Sequence, residues 1–180
     1  MNRMVRVLFW LLAAATLAVY LAMVVWTLPA ISAGAGGLAP FDLRPTGYTF
    51  DEAKAFLAAL SPEAGALYRD VQHRLDLVFP GLLATTVYFA IAALLPKRLG
   101  RWRFLLPLPV ALAAAFDWAE NAAVSRMLVA GADGITPGMV AEASRWSVLK
   151  AAASTIAYTA LLALLLRAGF RRLSRRRGNL

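Results

Sequence analysis

Residues 111 to 127 read ALAAAFDWAENAAVSRM, which places Asp117, Glu120 and Asn121 inside an otherwise apolar run, 104–129. That run exceeds the roughly 20 residues that cross a hydrocarbon core of about 30 Å. The spacing i, i+3, i+4 sets the three polar residues on one helical face, which Ala113 and Ala114 continue in one direction and Val124 in the other. Each acid at the centre of a lipid-facing helix would cost roughly 2.5–3.5 kcal/mol, so this face must point into a bundle of other helices.

The rest of the chain supplies them. Three further apolar runs, 7–31, 75–95 and 148–166, are each near the same length, and the composition is 61% hydrophobic with 16% charged residues. Soluble domains carry about a quarter charged residues and under half apolar ones, which excludes that class. The expected fold is all-α: one polytopic membrane domain over 1–180, an antiparallel bundle of four transmembrane helices.

Net charge is +9, and twelve of the nineteen Lys and Arg residues lie before the first run, between the second and third, or after the fourth. Such a bias puts both termini in the cytoplasm, with 32–74 as an extracytoplasmic cap and 167–180 as a basic cytoplasmic tail. The implied location is the inner (cytoplasmic) membrane, crossed several times. The basic excess is read as a topology signal and not as a nucleic-acid surface; RRLSRRRGNL also suits anionic lipid headgroups. A basic start followed by AISAGAG has the outline of a secretory signal, but an apolar stretch above 20 residues exceeds the about 7–15 of a signal peptide, so the first run is read as a retained anchor. Cysteine is absent and there is one His, so the expectation is no cofactor and no metal.

Within 32–74, Thr49 and Glu52 fit a capping box, and Ala53, Phe56, Leu57 and Leu60 form one stripe, which predicts a short amphipathic helix over 50–60. Ser61 as N-cap with Pro62 at the first helical position opens a second helix that runs directly into the second span. The pair is expected to form a hairpin over the outer mouth of the bundle, with Pro80 kinking the second helix. GLAPFDLRPTG reads as irregular loop, and no P-loop, G-x-S-x-G or H-E-x-x-H pattern occurs.

At about 1.5 Å per residue, Asp117 lies about 20 Å and Glu120 about 24 Å from the start of the third run, in its outer half. The fourth run is antiparallel, so Lys150 and Ser154 reach matching depths and, with Tyr158, form a polar stripe. Thr85 and Thr86 lie mid-way along the second run, and Asp76 at its outer edge. Glu120 and Lys150 are therefore expected to pair. Asp117, facing Ser154 and Thr85 with no base at its own depth, is expected to be the functional acid. An Asp117–Asn121 contact is expected too, with Arg126 and Arg145 in reach of the acids. The candidate ligand-binding set is Asp117, Glu120, Asn121, Lys150, Ser154 and Asp76. The competing structural reading is that these groups only fix helix register. His73, between Asp70 and Asp76, reads either as a proton carrier or weak metal ligand or as a solvated side chain. Trp102 and Trp146 fit interfacial belts, and Trp118 falls off the acidic face.

The stretches FDLRPTGYTFDEAKAFLAAL, LYRDVQHRLDLVFP and FDWAEN resemble an uncharacterised family of small bacterial four-helix membrane proteins, over most of 37–160. The resemblance implies the four-helix fold and makes Asp117, Glu120 and Asn121 its D-x-x-E-N signature, but carries no activity. The leading functional reading is a lipid or hydrophobic small-molecule binding or scaffold protein with a polar site in the outer half of the membrane. The alternatives are an enzyme of lipid or isoprenoid chemistry, with Asp117 and Glu120 as its catalytic acid/base candidates, and a proton-coupled transporter. The partners expected are membrane lipids, a hydrophobic small molecule and, for the transporter, further copies of the chain.

Overall fold

A computed structural model describes residues 3–177, and the tail beyond them, 178–180, lies outside the described residues. All regular structure among the described residues is helical. Five helices carry the architecture: α1 (Arg3–Ala33), α2 (Phe50–Ala59), α3 (Pro62–Leu94), α4 (Pro109–Gly134) and α5 (Pro137–Arg177). Three of them, α1, α3 and α5 through Arg171, are long and apolar enough to cross a membrane. Helix α4, with 26 residues, has the length, but its acids and Asn121 dilute its apolar character.

Packing explains that difference. α4 lies against α2, α3 and α5 at once, whereas α1 packs along α3. Of the first 20 residues of α1 only Thr16 is buried, and its outward face, with Leu8, Leu11 and Leu17 more than half exposed, is apolar. The central helix can carry charge because its neighbours shield it, and the outer helices present hydrocarbon.

The expected capping box is present: Glu52 N donates to Thr49 Oγ1 at 3.3 Å and Thr49 N to Glu52 Oε2 at 2.7 Å. The Glu52 carboxyl is held below its usual range by that backbone bond. Ser61 caps α3 through Ala64 N at 3.2 Å with Pro62 in the first turn, and the helix then runs unbroken to Leu94 through one π-helical turn at Tyr68–Gln72. A matching π-helical turn interrupts α1 at Met23–Thr27, just before Pro29. The two π turns touch, and Thr27 donates to Gln72 there.

Three boundaries differ from expectation. α4 starts at Pro109 and not near Phe104, because Pro107 and Pro109 have no N–H to donate to the carbonyls four residues earlier, those of Arg103 and Leu105; only one turn, Trp102–Leu105, forms ahead of them. α5 starts at Pro137, about three turns before the expected span, and α1 extends past its apolar run at both ends. Near its end α4 kinks at Gly131, where φ is +69°, a conformation that side chains disfavour.

Segment 34–60 does not merely cover a mouth. Phe41, Ala53 and Phe56, all fully buried, join Tyr68 in a core with Met127 and Val124 of α4 and Val140 of α5. This is the main hydrophobic core. Gly47, at φ +83°, lets the loop close on α5, where an added Cβ would stand 2.6 Å from Ser144 Oγ. That contact lets Tyr48 N donate to Ser144 Oγ at 2.9 Å. A smaller cluster, Val87, Ile91, Val110 and Ala157, closes the opposite end.

Candidate functional site: an ion-paired cleft between three helices

α4 presents the DWAEN residues to two neighbours. Towards α5, the Lys150 ammonium lies between two carboxylates, bridging Glu120 and reaching Asp117 Oδ1 at 3.4 Å. Glu120 is 1% exposed and also accepts from Ser147, one turn before Lys150. Asp117 is 16% and Lys150 20% exposed, so this end of the pair meets open space.

Towards α3, Asn121 Nδ2 donates to the Asp76 carbonyl at 3.0 Å and Trp118 Nε1 to the Leu77 carbonyl at 2.9 Å. Pro80 supplies the reason. A proline in a helix interior has no N–H for the carbonyl four residues earlier, and its ring crowds that carbonyl. The residue four before Pro80 is Asp76. Asn121 thus satisfies the buried acceptor that Pro80 leaves without a donor, and the adjacent Trp118 bond reinforces the junction.

The loop read as irregular brings a third group. Phe41–Leu43 forms a short 3-10 turn, and Asp42 in it accepts from the Tyr68 hydroxyl and lies against the Asp76 carboxyl. The Asp76 carboxylate accepts from Gln72 Nε2 at 2.8 Å. The Tyr48 hydroxyl sits beside Ser147; burial, and then the Glu120 carboxylate, hold it above the ordinary tyrosine range, so it keeps its proton.

These side chains close one end of a cleft of about 240 Å³ between α3, α4 and α5. Asp42, Arg44, Asp117, Glu120, Ser147 and Lys150 line its charged end. Below them the walls are mostly apolar and small, with Leu83 and Ala84 from α3, Ala113 and Ala114 from α4, and Ala151 and Ala157 from α5; α5 adds the hydroxyls of Ser154 and Tyr158.

The structure brings Asp117, Glu120, Lys150 and Ser154 to this cleft, and places Asp76 and Asn121 behind its wall, where they tie α3 to α4. Four expectations need correction. Asp117 does have a base at its depth, Lys150. Thr85 is exposed and bonds the Gly81 carbonyl at 2.7 Å, while Thr86 meets Thr16 of α1 at 2.9 Å, so neither faces Asp117. Asn121 spends its amide on Asp76, not on Asp117. Arg126 pairs with Glu142 at 2.8 Å and Arg145 lies 5.3 Å over the Trp146 ring, so neither joins the acids. His73 is half-buried, and among the described residues no cluster of three metal-ligating side chains forms.

Asp42, Arg44, Tyr48 and Ser147 escaped the sequence reading. Ser147 carried a signal, since it stands three residues before Lys150 on the same helical face. The loop residues have no periodicity to betray them.

Fold and site together define an all-α protein with three helices suited to crossing a membrane, built around a charged interior helix. No protein family, curated protein or solved structure matches the chain.

Replacing Asn121 by Ala should leave the Asp76 carbonyl buried without a donor and cost about 1–3 kcal/mol. In a Pro80→Ala background the new N–H serves that carbonyl, so the same substitution should cost clearly less. Thermal unfolding in detergent of both single variants and the double variant measures the coupling; strictly additive losses would contradict the junction described above.

Proposed function

We propose that the chain is a four-span membrane protein, with α4 as the shielded fourth span, both termini in the cytoplasm and 32–74 outside. Its function, on this reading, is to bind a lipid or other hydrophobic small molecule in the cleft, as a binding or scaffold protein of the inner membrane. The resemblance to the uncharacterised four-helix family with the D-x-x-E-N signature belongs to the same proposal.

One observation carries the binding reading: the cleft is charged at one end and mainly apolar along the rest, where Ser154 and Tyr158 of α5 add hydroxyls. Helices that touched only to fix register would close that space, whereas the alanines of α3, α4 and α5 leave it open. An apolar groove that faces lipid accommodates a hydrocarbon chain, and the charged end then meets that chain's polar head. Ligand sites share this pattern of an apolar lining with a few converging polar groups.

The proposal is tested by mass spectrometry of lipids that co-purify with the protein in mild detergent. The wild-type protein should retain one lipid class above its abundance in the membrane, and Asp117→Asn should lose it while keeping the melting temperature. Identical lipid profiles for the two proteins would contradict the assignment of Asp117 to binding.

Topology is tested separately, since the native chain offers no cysteine to interfere. Ala55→Cys should react with an impermeant maleimide added outside intact cells. Reaction only after the cytoplasmic face is opened would reverse the orientation.

A further inference from the structure

The charged end of the cleft is not balanced. Its walls bring three carboxyl groups, Asp42, Asp117 and Glu120, against two cations, Lys150 and Arg44. Both cations are already engaged. Lys150 faces two carboxylates. Arg44 donates from Nε and Nη2 to the Ala39 carbonyl at 3.0 and 2.8 Å, and its guanidinium lies 5.7 Å from the ring centres of Phe41, Tyr48 and Phe56.

The acids are held unequally. Glu120 is buried against both Ser147 and Lys150. Asp42 takes the Tyr68 hydroxyl. Asp117 has only the 3.4 Å contact to Lys150, long beside the about 2.7–2.9 Å of a charge-assisted bond, and it is the acid of that pair that keeps exposure. From Glu120 down to Val110 the α4 wall runs ten residues, about 15 Å, and past Asp117 it is apolar.

Resting on the reading of the cleft as a ligand site, we infer that the ligand is an amphiphile with a positively charged head, an amine or quaternary ammonium, seated at Asp117, with its chain on the alanine-lined floor. A head of this kind gives Asp117 the partner that Lys150 supplies only at long range. An anionic head would find Lys150 already shared by two carboxylates and, among the described residues that line the cleft, only the Arg44 guanidinium outside an ion pair, and it would face three carboxyl groups. The same head chemistry occurs in aminophospholipids and in free long-chain amines.

The experiment uses the full chain in dodecyl maltoside micelles with two spin-labelled probes of equal chain length, one with a trimethylammonium and one with a sulfate head. Electron paramagnetic resonance reads the immobilised fraction against empty micelles. The ammonium probe should bind about tenfold or more tightly than the sulfate probe, as expected when the sign of the head's unit charge is reversed beside a carboxylate in a partly buried site. Asp117→Asn should remove most of that preference, and Ala114→Leu, which fills the groove, should abolish immobilisation of the ammonium probe. Since the two probes are compared on the wild-type protein, the result does not depend on either variant folding. Competition by phosphatidylethanolamine would identify a phospholipid source, and competition by a long-chain amine alone a free amine; both support the inference. Equal or stronger retention of the sulfate probe, lost in Ala114→Leu, would overturn the charge assignment and leave the cleft as a ligand site. Immobilisation of neither probe would overturn both.

Discussion

A single ammonium set against two carboxylates organises this molecule. Glu120 is almost wholly buried, and a lone ionised carboxylate in that setting would cost several kcal/mol. Lys150 meets that cost from the neighbouring helix, and Ser147 adds a hydrogen bond from the same face. The partners are specific in register: sliding α5 by one residue would swing Lys150 about 100° away from α4. The pair therefore fixes how α4 and α5 lie against one another, and the loop that packs on both inherits that geometry through Ser144 and Tyr48.

The second constraint comes from a proline. Pro80 deprives the Asp76 carbonyl of its helical donor, and Asn121 answers from α4. The four polar or aromatic residues of DWAEN thus divide their work: Asp117 and Glu120 hold α5, and Trp118 and Asn121 hold α3. With α4 held on both sides, the small residues between the contacts do not have to close the gap, and a cleft survives. On the proposed binding function, structure and binding are not competing explanations of the acids: Glu120 is buried in the helix contact, while Asp117 is less tightly held and partly open to the cleft.

How much of this was legible in the sequence varied with the kind of signal. Apolar run length exposed the long helices, and the spacing 117, 120, 121 exposed the polar face of α4. Thr49 with Glu52 and Ser61 with Pro62 located the starts of α2 and α3 to the residue, because caps are local chemistry. Matching depths on antiparallel helices were enough to pair Glu120 with Lys150. The same depth argument misplaced Thr85, since depth fixes height along a helix and not the direction a side chain takes around it. Spacing along α4 pairs Asn121 with Asp117, its neighbour one turn away, but the partner is set by Pro80 of α3, which leaves the Asp76 carbonyl without a donor. Asp42 and Arg44 reach the site through tertiary packing of the Phe41 loop, for which no periodicity exists to be read.

The packing of α4 on α5 depends on where the Lys150 ammonium is. Magic-angle-spinning NMR on protein reconstituted in lipid, with nitrogen-15 in lysine and carbon-13 in the side-chain carboxyls of Asp and Glu, measures that directly. Three lysines are present, and Lys150→Arg identifies its signal by loss. The Lys150 nitrogen should be strongly dephased by carboxyl carbon, in keeping with its contact to Glu120 and its 3.4 Å approach to Asp117 Oδ1, and the effect should weaken in Glu120→Gln. A Lys150 signal that no carboxyl carbon dephases would show that the lysine stands apart from the acids, and would contradict the architecture built on their pairing.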